Sequence, residues 1–167
     1  MRLDAVQIED ISSADFPKVL ELNQQSQPHL SALTLERLKE LANMTFHFRV
    51  IKHEDEISAF LMGMEENQPY NSMNYAWISE RYESFYYIDR IAVAKEYQRQ
   101  GLGISLYEDG QSFALEKKKP VMACEVNIKP PNIGSLKFHK NFGFFSVGEQ
   151  NTEGGQKRVQ YMIKNLN

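Results

Sequence analysis

The sequence predicts an α/β fold, a mixed central β-sheet flanked by α-helices on both faces, in a single domain spanning residues 1–167. Three observations predict it. A length of 167 residues suits one domain and buries enough surface for a core without metal or disulfide staples. Stretches with two-residue apolar alternation are interleaved with stretches whose apolar residues recur every three or four positions. The run FYYIDRIAV, Phe85 to Val93, is apolar on both faces, as a central strand covered by helices must be.

Each element has its own signature. Leu3, Ala5 and Ile8 suggest a short first strand. Asp15 stands as N-cap before FPKVLELNQQ, where Pro17 suits the first turn and Phe16, Val19, Leu20 and Leu22 form a stripe. After a polar loop, Thr34 caps LERLKELANM. TFHFRVI (Thr45 to Ile51) and ISAFLMGM (Ile57 to Met64) flank the turn HEDE and read as a hairpin. Residues 65–83 show no period and read as a long loop carrying Tyr70, Tyr75, Trp77 and Tyr82. Phe85 to Val93 follows as the central strand, with Tyr87, Asp89, Ile91 and Val93 on one face. A helix from about Leu102 to Lys119 is stopped by Pro120, and VMACEV (Val121 to Val126) is the next strand. Asn132 caps IGSLKFHKN, with Gly143 at its end. FFSVGE and KRVQYMIKN close the chain around QNTEGG.

Composition excludes several classes. Nineteen basic against 22 acidic side chains leave a formal charge of −3, so no sequence-wide grip on nucleic acid is expected. No apolar run approaches the ~20 residues of a membrane span. The start MRLDAVQIEDIS lacks the basic and apolar segments of a secretory leader. One cysteine, Cys124, forms no internal disulfide and points to a reducing, cytoplasmic setting. His29, His47, His53 and His139 are scattered without ligand spacing, so no metal is expected.

Two constellations carry chemistry. Gln98-Arg99-Gln100-Gly101-Leu102-Gly103 lies between a strand and a helix, where free amides and the helix dipole favour an anion. A dinucleotide fingerprint would need glycine where Leu106 stands, and a phosphate loop would need a following Lys-Ser/Thr pair. Glu125 on its strand and His139 on the next helix form a carboxylate–imidazole pair for proton transfer. Asp89 is an alternative base, or else pairs with a basic partner. Cys124 points away from Glu125 and reads as a buried structural thiol. Lys117, Lys118 and Lys119 read as a solvated helix end. The aromatic loop either walls an acceptor pocket, packs on the sheet or meets a second subunit, and the residues leave these open.

The run from Tyr87 to Phe144 resembles the core of the GNAT superfamily of acetyl-CoA-dependent N-acetyltransferases. Gln98-Arg99-Gln100-Gly101-Leu102-Gly103 is similar to its Gln/Arg-x-x-Gly-x-Gly/Ala pyrophosphate motif. Glu125-Val126, Asn132, Ser135-Leu136, Phe138-His139 and Gly143-Phe144 are similar to its second motif. The resemblance implies a GNAT-type sheet whose parallel strands splay apart to hold coenzyme A. Pantetheine would bond the backbone of Ile91, Ala92 and Val93, pyrophosphate would rest on the loop from Gln98 to Gly103, and Asn132 and Ser135 would face the cofactor arm. His139 stands where many members carry a tyrosine that protonates the departing thiolate.

The expected reaction is acetyl transfer from acetyl-CoA to a primary amine, small molecule or peptide, with Glu125 as general base and His139 as general acid. No metal, nucleic acid or membrane takes part; a homodimer is one assembly the sequence leaves open. The alternative is a non-catalytic acyl-CoA-binding or regulatory domain of the same fold. The acceptor's identity is not written in these residues.

Overall fold

The computed structural model describes residues 6–166, and Leu3 and Ala5 of the expected first strand lie outside them. The strands are β1 (Ile8–Asp10), β2 (His47–His53), β3 (Glu56–Met64), β4 (Tyr86–Val93), β5 (Val121–Lys129), β6 (Phe145–Thr152) and β7 (Lys157–Asn165). The helices are α1 (Phe16–Gln25), α2 (Leu35–Asn43), α3 (Met73–Ser79), α4 (Leu102–Glu116) and α5 (Ile133–Phe142). The strands follow the order β1-β2-β3-β4-β5-β7-β6. β4 and β5 run parallel, with Tyr86 opposite Met122 and Tyr87 opposite Ala123. The β1/β2, β2/β3, β5/β7 and β6/β7 pairs are antiparallel. This is the mixed sheet flanked by helices that the sequence predicts.

The chain condenses into two units. The first runs up to Met64 and adds Ile88–Phe113; the second comprises Glu65–Tyr87 and the chain from Ala114 onward.

In the first unit, Val19, Leu22, Leu38, Leu41, Val50, Phe60 and Leu61 are buried, which seats the helical stripes of α1 and α2 in its core. Thr34 caps α2 as expected, its Oγ1 accepting from Arg37 N at 3.0 Å. Asp15 does not cap α1 by its side chain. Its Oδ2 accepts from the backbone N and the hydroxyl of Ser12, both at 2.9 Å, closing the single turn Ser13–Asp15 instead. Arg90 on β4 is buried; its guanidinium donates to Asn23 Oδ1 at 2.9 Å and to Ser31 O at 2.8 Å, fixing the loop after α1.

In the second unit, two expectations are corrected. The stretch 65–83 contains α3, capped by Ser72 Oγ accepting from Tyr75 N at 3.2 Å. Its seven residues make barely two turns, too few for a legible period. The lysine run is not uniformly solvated. Helix α4 ends at Glu116, and Lys118 takes φ +60°. That turn directs Lys119 inward, where its ammonium lies 3.0 Å from Glu65 Oε1 and 2.6 Å from Glu66 Oε2. Glu66 also accepts from Phe85 N at 2.9 Å, and its carboxyl is held below the usual range by Lys119 and Phe85 against the opposing effect of burial. Asn132 caps α5 through Oδ1, 3.3 Å from Ser135 N, and Gly143 closes it at φ +109°, the left-handed conformation that suits glycine.

Candidate active site

The first unit carries a turn whose backbone geometry suits an anion. Gln98 is extended, Arg99 takes φ +65° and Gly101 φ +83°, and α4 opens at Leu102. A non-glycine residue at positive φ is strained, so the Arg99 conformation is imposed by the turn. The first helical donor to find a carbonyl is Ser105 N, at 3.0 Å from Gly101 O. The amides of Leu102, Gly103 and Ile104 therefore have no carbonyl one turn back, and the helix dipole adds positive potential there. Successive amides in such a turn form a concave nest suited to phosphate oxygens. A Cβ on Gly101 would meet nothing within 4 Å, so the main chain is open to a ligand there. Gln98 Nε2 donates to Val93 O at 3.2 Å, tying the turn to the end of β4 beyond Ile91 and Ala92. Gln100 reaches back to Glu96 O at 3.4 Å. The side chain of Asp89, on the same strand, is buried with Oδ2 3.5 Å from Arg90 Nε. That is the basic partner its buried carboxylate needs.

The second unit carries titratable groups of its own. Parallel register puts Tyr87 opposite Ala123, on the same face as Glu125 two residues on. The Tyr87 hydroxyl donates to Glu125 Oε1 and lies 3.1 Å from Oε2. Sequence reasoning missed this partner; the only signal was the facing of Tyr87 along its strand. Tyr75 meets the Tyr87 ring edge-on at 5.5 Å between centroids. Cys124 points the other way, is buried, and has its thiol pushed well above the usual range by burial, reinforced by the Glu125 charge. A thiol held protonated is a poor nucleophile.

His139 differs from expectation. It is 4% exposed, edge-on to Phe138 and Phe144. Its Nδ1 lies 2.7 Å from Ser135 O and 3.3 Å from Ser135 Oγ. A carbonyl only accepts, so Nδ1 carries the proton and Nε2 keeps the lone pair. Burial lowers the imidazole pKa below 6.5, outweighing the hydrogen bond to Ser135 that raises it. Burial favours the uncharged ring over an exposed imidazole and the Nδ1 proton is engaged by Ser135 O, which argues against a general-acid role. Ser135 and Asn132 are likewise engaged within α5, as partner of His139 and as cap.

The shift has a measurable consequence. Below pH 6.5 an unfolded chain takes up a proton that the buried ring resists, so stability falls as pH drops from there toward the lowered folded value. Denaturant melts at pH 7 and pH 5 are expected to show the wild type losing more stability on acidification than His139→Phe. Equal losses would mean that the imidazole titrates normally.

Among the described residues no cluster of His, Cys, Asp and Glu could hold a metal ion, and no helix is long and apolar enough to cross a membrane.

Solved structures share this fold. Ard1 from Thermoplasma volcanium superposes with TM-score 0.80 at 19% identity, covering 98% of this chain and 99% of that one. The ribosomal-protein-S18-alanine N-acetyltransferase from Escherichia coli gives 0.75 at 16% identity, covering 98% and 95%. A chain of the NatC complex, solved bound to Gag peptide and CoA, gives 0.75 at 11% identity and covers both chains fully, 100% of each. The model of the Acetyltransferase (GNAT) family matches residues 6–144, and the chain belongs to that acetyltransferase family.

Proposed function

We propose that this protein transfers an acetyl group from acetyl-CoA to a primary amine, on a small molecule or a peptide, by direct attack. The observation that carries the reading is the turn from Arg99 to Gly103, whose positive-φ residues and partnerless helix amides suit a diphosphate. The backbone around Ile91, Ala92 and Val93 would hold the pantetheine arm, with Gln98, Arg99, Gln100, Gly101, Leu102 and Gly103 at the pyrophosphate.

Glu125, directly or through one water, takes a proton from the acceptor ammonium. The Tyr87 hydroxyl holds that carboxylate in orientation. The freed nitrogen lone pair attacks the thioester carbonyl carbon, and a backbone N–H near Val93 donates to the developing oxyanion. The C–S bond then breaks and the amide forms. With the Nδ1 proton of His139 committed to Ser135 O, the second proton of the attacking nitrogen passes through water to the leaving thiolate, whose pKa of ~8.5 makes it a modest base. Holding amine and thioester within ~3–3.5 Å supplies much of the acceleration. The buried free thiol of Cys124 suits a reducing cytoplasm.

A second reading, an acyl-CoA-binding domain without turnover, is favoured by one observation, the burial of His139 with its Nδ1 against Ser135 O. One experiment separates the two: CoA release with a panel of primary amines, beside CoA binding by thermal shift. Turnover with at least one amine is expected. Binding without any turnover would select the second reading, and absence of binding would overturn both.

A further inference from the structure

Strand register builds a row of side chains on the Glu125 face of the second unit. Directly opposed residues of an antiparallel pair share a face. Glu125 stands opposite Tyr161, and Tyr161 stands opposite Gly148. Across the far end of this row lies Trp77 of α3. Its indole stacks on Tyr161 with centroids 4.1 Å apart and planes 10° from parallel. A Cβ on Gly148 would come 2.4 Å from Cζ2 of Trp77, so the indole lies in a notch that only glycine leaves open. The Tyr161 hydroxyl donates to Asn74 Oδ1 at 2.7 Å and accepts from Gln150 Nε2 at 3.0 Å. The Arg81 guanidinium packs over the Trp77 ring at 3.8 Å.

Helix α3 is thus pinned by a ring stack, a hydrogen-bonded phenol and a steric notch, beside its buried Tyr75 and Ile78. Apolar burial alone tolerates sliding, whereas hydrogen bonds fix position and angle. Burial, reinforced by the Glu125 charge, pushes the Tyr161 phenol up to about 12, so the pin stays protonated at any physiological pH. The row starts at a rigid aromatic wall and ends at a carboxylate held by Tyr87.

We infer that α3 bounds the acceptor amine at Glu125, with the partly exposed Trp77 setting the bulk accepted next to the reacting nitrogen and the fully buried Tyr161 holding Trp77 and α3 in place. The inference rests on the acetyl-transfer reading. Trp77 and Tyr161 are positioning residues: they select compact, unbranched primary amines over branched ones and leave the proton to Glu125.

The test is acetyl transfer to a series of primary amines graded in bulk beside the nitrogen, by the wild type, Trp77→Ala and Tyr161→Phe. Removing the indole is expected to raise kcat/KM for the bulkiest amine, relative to the smallest, by about tenfold, the worth of a methylene or two in a pocket. Tyr161→Phe keeps the stack and loses the hydroxyl's hydrogen bonds, and is expected to shift the same ratio by about threefold. CoA affinity is expected to stay at the wild-type value in both. Lowered thermal stability with unchanged acceptor ranking would make the cluster purely structural and overturn the inference; Tyr161→Phe gives the answer if Trp77→Ala does not fold. Transfer by the wild type with identical ranking in the variants overturns this inference alone. No transfer by the wild type to any amine overturns the functional reading as well.

Discussion

Glu125→Gln is expected to lower kcat by about 10²- to 10⁴-fold, the range for removing a positioned general base, while CoA affinity stays unchanged. The amide matches the carboxylate in shape and still accepts the Tyr87 hydroxyl, so local geometry survives; only the capacity to take a proton is lost. The turn proposed for the diphosphate, residues 98–103, belongs to the other unit, so on this reading binding and turnover should separate. The pH profile adds a second readout. If Glu125 serves to free the amine, raising pH supplies free amine from solution, and the variant's rate should climb toward the acceptor's own pKa, near 8 for an α-amine and ~10.4 for a lysine. A variant with wild-type kcat and a wild-type profile would remove Glu125 from the mechanism.

Gly101→Val is expected to weaken CoA binding by about a hundredfold or more with the fold retained. The space beside Gly101 is open, so no clash forces unfolding. The penalty is local: φ of +83° disfavours a β-branched residue by roughly 1–2 kcal/mol, which reshapes the turn. A side chain there also occupies the approach of a phosphate to the amides. Losing two charge-assisted hydrogen bonds at roughly 1.5–3 kcal/mol each exceeds the ~2.8 kcal/mol that corresponds to a hundredfold. Calorimetric titration with CoA, beside a thermal melt of the free protein, reads both quantities. Wild-type affinity in a folded variant would exclude the turn as the diphosphate site.

The sequence was most readable where local chemistry decides. Thr34 and Asn132 cap their helices and Gly143 takes the left-handed turn, because these depend on neighbours within a few residues. The glycine turn before α4 was legible for the same reason. What escaped depends on contacts distant along the chain. Tyr87 finds Glu125 only through parallel register. Lys119 is buried because residues 65 and 66 come to meet it. His139 stands where a resemblance suggests an acid, yet its protonation follows from burial, which no motif encodes. Helix α3 was hidden by its brevity, and its aromatic residues could not be assigned without the strands beneath them.

The pins of α3 also order events in time. A helix of seven residues cannot hold itself together in water, where even ~12–15 residues are marginal. Asn74 and Trp77 leave the ribosome well ahead of Gly148, Gln150 and Tyr161, the partners that support them. Tyr75 can meet Phe85 and Tyr87 earlier, but the stack and hydrogen bonds that fix Trp77 and Asn74 form only once the last hairpin has been synthesised, and a nascent protein lacking that hairpin has the residues of the wall without its pins.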